Sequence, residues 1–166
     1  MNHEQILHRR IRWLTGLFIV GLLLSGITAI PLRTELDWLT HVGGFDLSAG
    51  EKEMTAVGFW LLNVRHALDV TSEQFPFLFY GTDWLAFGHF VIAVAFIGAL
   101  RDPVRNRWLY DFGLIACALV IPFALVMGGV RGISFWWRLV DCSFGIFGAM
   151  PLWFCRTWAI ELDRQK

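Results

Sequence analysis

Four long apolar runs constrain this chain more than any other feature of it. An α-helix rises 1.5 Å per residue, so about 20 mainly apolar residues cross a hydrocarbon core of about 30 Å. Residues 13–30, 82–100, 108–130 and 135–155 meet that requirement. Lipid offers the backbone no hydrogen-bond partner, so such a run satisfies its own peptide groups as a helix. The expected fold is therefore an all-α membrane protein, one integral domain over residues 1–166, with four transmembrane helices. Residues 31–81 remain as an extracytoplasmic amphipathic helical segment.

Local chemistry sets the boundaries. Pro31 closes the first run, because it has no N–H to continue a helix. The second stops at RDPVRNR, residues 101–107, and Pro122 inside the third predicts a kink. The fourth is flanked by Phe135, Trp136 and Trp137 at one end and Trp153, Phe154 and Trp158 at the other, residues suited to the two bilayer interfaces. The basic HRRIR before the first run raises the possibility of a signal peptide. Cleavage after Ala29 would put Ile27 where a small residue is wanted, so an uncleaved anchor is expected.

Orientation follows from arginine and lysine. Arg9, Arg10 and Arg12 precede the first run, Arg101, Arg105 and Arg107 separate the second and third, and Arg156, Arg164 and Lys166 follow the fourth. Nine of the fourteen basic residues thus fall on one side, which the positive-inside rule makes cytoplasmic. The chain is expected in the inner (cytoplasmic) membrane with both termini inside.

Within the outer segment, Met54, Val57, Leu61, Val64 and Leu68 recur at spacings of three and four and predict a helix over residues 54–68. Its apolar stripe would lie on the bundle or the interface, with Glu51, Lys52, Arg65 and Asp69 on the opposite face. FPFLFYG, residues 75–81, reads as an aromatic approach to the second span.

Composition excludes several functions. With 56% hydrophobic residues and zero net charge there is no basic surface for nucleic acid. Cys117, Cys142 and Cys155 show no C-x-x-C spacing and read as small hydrophobes among helices. No cofactor and no metal are implied: bis-histidine haem needs two histidines at membrane depth, and His89 alone qualifies. Serine-nucleophile motifs and phosphate loops are absent from the sequence.

What does require explanation is a set of ionisable groups in the outer half: Asp83 and His89 on the second span, Arg131 in the turn GGVRGI, and Arg138 and Asp141 opening the fourth. A charge at the bilayer centre costs about 2.5–3.5 kcal/mol on insertion scales, so each needs a partner or a route to water. Arg138 and Asp141 are three apart and can face each other. Asp111, near the inner end of the third span, can reach Arg105, Arg107 or water. Ala86 and Ala93 beside His89, Gly145 and Ala149 with Gly148, and Gly21 with Ser25 suggest close helix contacts.

Two readings follow. In one, Asp141 pairs with Arg138 or Arg131, Asp83 caps its helix, His89 bonds across the bundle, and no chemistry results. In the other, Asp83, His89, Arg131 and Asp141 line an outward pocket for an anionic lipid head group or small solute, with His89 available for proton transfer and Arg138 at its edge. The first gives a structural or accessory bundle. The second gives a membrane enzyme or binding protein acting on a lipid or cell-envelope precursor. The partners compatible with these readings are the lipid bilayer, such a ligand and a second copy of the chain; a transporter of four spans would need that copy, but the sequence shows no repeated pair of broken helices.

The blocks GTDWLAFGHFVIAVAFIGALRDPVRNRW and RGISFWWRLVDCSFGIFGAMPLWFC resemble a group of small, uncharacterised bacterial four-span membrane proteins. That resemblance implies a membrane location and no activity. The order Asp83, His89, Phe90, Arg131, Asp141, Gly145, Gly148 is also similar to that of VanZ-like proteins, likewise four-span. The Asp83 to His89 spacing is longer here than in that family, which turns the two side chains to different faces.

Overall fold

A computed structural model describes residues 2–43 and 55–165. They form six α-helices: α1 (His3–Thr28), α2 (Leu32–Val42), α3 (Ala56–Gln74), α4 (Tyr80–Arg101), α5 (Arg107–Val130) and α6 (Phe135–Arg164). A single 3₁₀ turn, Pro76–Phe79, leads into α4, and there is no strand among the described residues. Three helices are long and apolar enough to cross a membrane: α1, the stretch Pro76–Arg101, and α5. At 30 residues α6 is the longest described element, about 45 Å by helical rise, and it is not one of these three.

The helix ends carry the signals expected of them. Asn106 folds back on α4, its Nδ2 donating to the carbonyls of Gly98 and Asp102, each at 3.0 Å. Asp102 in turn accepts the Arg105 amide at 3.0 Å, so RDPVRN is a hydrogen-bonded turn. Between α5 and α6, Gly132 takes φ +69°, a conformation that only glycine adopts without strain. The Ile133 amide then reaches the Gly128 carbonyl at 2.8 Å, which closes the α5 C-terminus in the manner of a Schellman motif. The α5 helix continues through Pro122, and α1 begins ten residues before the apolar run, at His3 rather than Trp13.

Two compact units divide the chain: residues 1–23 with 91–166, and residues 24–90. The larger holds the core. Leu7, Ile11, Phe96, Leu109, Tyr110, Leu152, Cys155, Ala159 and Leu162 are buried together, drawn from α1, α4, α5 and α6. Leu7 and Ile11, and at the other terminus Ala159 and Leu162, explain why α1 and α6 extend beyond their apolar runs: each extension carries part of the packed stripe. Small residues set the spacing. A Cβ on Gly145 would lie 2.6 Å from the Cys117 carbonyl oxygen, and one on Gly113 2.7 Å from Leu152 Cδ1. The Gly145–Gly148 face therefore meets α5, as its spacing predicted.

The smaller unit contains the hairpin of α2 and α3. Thr55 caps α3, its Oγ1 accepting the Gly58 amide at 3.2 Å, and Phe75-Pro76 ends it. Helix α3 occupies most of the predicted stretch and covers part of the predicted stripe: Leu61 is buried and Val64 and Leu68 are half-buried, whereas Val57 is exposed. Gly58 and Leu62 are buried beside them, and Met54, Glu51 and Lys52 lie outside the described residues. Arg65 and Asp69, expected on the outer face, turn towards α2 instead. Arg65 Nε stands 2.6 Å from Asp37 Oδ1, and Arg33 Nε 2.7 Å from Asp69 Oδ1. The approach is one of charge, because Asp37 Oδ1, Arg65 Nε and Asp69 Oδ1 have no aligned hydrogen bond. Each helix carries one arginine and one aspartate four residues apart, in opposite order along the antiparallel pair. Reversal of one member by Arg65→Asp is expected to lower hairpin stability by about 1 kcal/mol, and the exchange Asp37→Arg with Arg65→Asp to recover most of it. Thermal unfolding of the two variants, with equal loss in single and double, would show the pair to be inert.

The first span also presents a different face from the one its sequence suggested. Gly21 and Ser25 are exposed, and a Cβ on Gly21 would meet nothing. Gly26 is the contact instead, where a Cβ would stand 2.6 Å from Phe90 and 3.1 Å from the Ala86 carbonyl oxygen.

Candidate functional site

Of the predicted outer cluster, His89 and Arg138 are held by carbonyls of their own segments. His89 is half-buried between Ala86 and Ala93 on the packed stripe of α4, but its Nδ1 lies 2.8 Å from the Leu85 carbonyl oxygen, one turn back. The expected bond across the bundle is replaced by one within the helix. Asp83 is exposed in the first turn of α4, where a carboxylate faces the positive helix end.

Arg138 does not pair with Asp141. Its Nε donates to the Ile133 carbonyl at 2.8 Å, its guanidinium carbon stands 6.0 Å from the Phe135 ring centroid, and its stem lies against Gly128. A Cβ on Gly128 would stand 2.7 Å from Arg138 Cγ and Cδ, so the glycines of GGVRGI make room for this arginine. Arg138 thus binds the turn that joins α5 to α6, and a bond to a carbonyl satisfies its charge without a carboxylate. Arg131 is exposed at the same turn. Asp141 is half-buried, one turn before Gly145, and has no ion-pair or hydrogen-bond partner among the described residues. Asp83 and His89 belong to the smaller unit, and Arg131, Arg138 and Asp141 to the larger.

Sequence reasoning missed the most developed polar group among the described residues. Thr15 of α1 is fully buried, and its Oγ1 lies 2.9 Å from the Tyr110 hydroxyl of α5 and 3.7 Å from Cys155 Sγ of α6. Tyr110 donates weakly to the Ala99 carbonyl of α4 at 3.5 Å, and the Cys155 thiol to the Ile11 carbonyl at 3.7 Å. Three hydrogens can serve three of these four contacts at once, Thr15 to Tyr110, Tyr110 to Ala99 and Cys155 to Ile11, which leaves the Thr15–Cys155 approach as a contact without a hydrogen. Four helices are thereby tied at one depth. The available signal was a lone threonine and a lone cysteine, each at a four-residue step from a core residue.

A ring of charge lies at the end of the larger unit where the chain begins and ends. Asp111 pairs with Arg156 of α6 rather than with Arg105 or Arg107. Arg107 approaches Asp163 at 3.6 Å, and His3 Nε2 meets Glu161 Oε1 at 2.8 Å. Further along the bundle an apolar groove of about 500 Å³ runs between α5 and α6, lined by Cys117, Ala118, Ile121, Ala149 and Trp153 among others. Cys142 and Cys155 are buried, Cys117 half-buried, and none is in a disulfide. Among the described residues, no group of three or more His, Cys, Asp or Glu side chains is placed to hold a metal ion.

Comparison with known proteins adds no relative: no family model, no curated protein and no solved structure matches the chain.

Proposed function

We propose that the chain is a four-pass protein of the cytoplasmic membrane that serves as a structural or accessory bundle, with α6 as its fourth span and the α2–α3 hairpin outside. One observation carries the topology. Salt bridges His3–Glu161 and Arg107–Asp163 bring the start of α1, the start of α5 and the end of α6 to one end, and with them the basic clusters of the sequence. The positive-inside rule makes that end cytoplasmic. In α6, Asp141 is the sole charge between Arg138 and Arg156, and Gly145 packs this stretch against α5. Large exposed side chains such as Phe123 and Phe147 suit a lipid environment, in which they need no protein partner. The accessory role rests on His89 and Arg138, both engaged by carbonyls of their own segments.

Reporter fusions after Arg107 and at the C-terminus are expected to be active in the cytoplasm, and a fusion after Gly43 outside it. Periplasmic activity of the Arg107 fusion would overturn this arrangement.

Asp141 favours a second reading. A half-buried carboxylate without a partner among the described residues suits a binding protein or enzyme for a lipid or envelope precursor, as the similarity to VanZ-like proteins implies. Mass spectrometry of lipids that co-purify with wild type and Asp141→Asn separates the two: unchanged species support the accessory bundle, and loss of one supports the site.

A further inference from the structure

We propose a binding site for the head group of an anionic phospholipid at the basic end of the larger unit, in the cleft between α1 and α6. The inference rests on the membrane reading above and concerns neither Asp141 nor the outer cluster. The cleft has a volume of about 460 Å³ and is lined by Arg9, Arg10, Trp13 and Leu14 of α1 and by Trp158 of α6. Arg9 also lines a neighbouring depression of about 700 Å³ with Glu4, Gln5, His8, Arg12 and Trp13, so arginines continue around the helix beside one carboxylate.

Charge is what makes this cleft specific. The carboxylates nearby are already engaged: Glu161 by His3, Asp163 by Arg107, Asp111 by Arg156, and Glu4 by His8 at 3.8 Å. Arg10, by contrast, lies 5.8 Å from the centroid of the Trp158 ring, and no carboxylate among the described residues is within ion-pair distance of it. A guanidinium on an aromatic face keeps its N–H edge for a planar or tetrahedral anion, which a phosphodiester supplies. Trp158 is itself stacked on Phe154, which fixes the ring and therefore the arginine above it.

The surroundings identify the phosphate as that of a lipid. Trp13 is 76% exposed at the point where the apolar run begins, and Leu17 and Val20 follow it, exposed, on the same side of α1. They form an apolar track leading away from the arginines, as acyl chains attached to a head group require. Indole rings at such a boundary occupy the interface between head groups and hydrocarbon. Basic pockets between spanning helices on the cytoplasmic side are suited to anionic head groups.

Native mass spectrometry of the purified full chain, titrated with phosphatidylglycerol or phosphatidylcholine, tests the site. Phosphatidylglycerol is expected to be retained at least several-fold better than phosphatidylcholine. Arg9→Gln with Arg10→Gln should weaken its binding about 25-fold, since each arginine near a lipid surface is worth about five-fold. Trp158→Leu should also weaken it, by releasing Arg10, whereas Arg131→Gln should leave it unchanged. Equal retention of the two lipids, undiminished binding by the double variant with an unchanged melting temperature, or displacement by inorganic phosphate at matching concentration would overturn the proposal. The fusion experiment separates the two ideas: a periplasmic Arg107 fusion with selective lipid binding intact would refute the topology and leave the site standing.

Discussion

Gly145→Ala is expected to destabilise the bundle by about 2–3 kcal/mol, and Gly145→Leu to separate α5 from α6 altogether. The added Cβ would lie 2.6 Å from the Cys117 carbonyl oxygen and 3.4 Å from Ile121 Cγ1. A side-chain atom in that position can rotate away, but a backbone oxygen moves only with its helix. In lipid the cost is not relieved by hydrophobic gain, because close backbone packing is what holds the two helices together. Gly21→Ala is the matched control: nothing lies within 4 Å of its Cβ position, so the change should be neutral or slightly stabilising through helix propensity. Unfolding in mixed micelles measures both. Equal stability of the two alanine variants would show that the α5–α6 contact is looser than these distances imply.

The contrast between Gly145 and Gly21 also shows how much of this fold is legible in the sequence. Long apolar runs mark spanning helices because the backbone must satisfy itself in lipid. The polar RDPVRN and GGVRGI turns mark their ends for the reasons that hold in water. What an apolar pattern does not reveal is which face of a helix is inside, because an exposed leucine costs nothing among acyl chains. Small and polar residues indicate the interior instead, and they are short signals. Gly145 was found because Gly148 and Ala149 repeat it at helical spacing, whereas Gly26 has no such companion and Gly21–Ser25 imitates one.

The same limit explains α3. Its apolar stripe marks Leu61, Val64 and Leu68, which are buried or half-buried, but it does not mark Arg65 and Asp69, which also turn towards α2 because Asp37 and Arg33 stand there. Charge on a helix ordinarily marks the solvent side, and only the position of the partner helix reverses that rule. Of the candidate site, the bonds that its side chains make were not legible. Arg138 and Asp141 have the spacing of a helical ion pair, but a carbonyl five residues before the arginine is the nearer acceptor.

Tyr110→Ala is expected to be the most damaging single change in the core, at about 3–5 kcal/mol, the usual cost of truncating a buried aromatic ring. Tyr110 is fully buried, and its ring packs edge-on to Phe96, with centroids 6.3 Å apart. Most of that loss is packing, so the hydroxyl has to be tested separately. Tyr110→Phe keeps the ring and removes both the 2.9 Å bond to Thr15 and the longer one to Ala99. Hydrogen bonds between helices in lipid average about 0.6 kcal/mol and reach about 1.7, and Thr15 sits where no water can replace the lost partner. A cost of about 1 kcal/mol is therefore expected for Tyr110→Phe, with a similar one for the near-isosteric Thr15→Val. Combined, the two should cost less than their sum, since each alone strands the other's hydroxyl; a coupling of about 0.5 kcal/mol or more is expected. Strict additivity would mean that Thr15 relies on Cys155, its other neighbour at 3.7 Å. A cycle of Thr15→Val with Cys155→Ala would then carry the coupling. If neither cycle shows it, the four helices are held at this depth by shape alone.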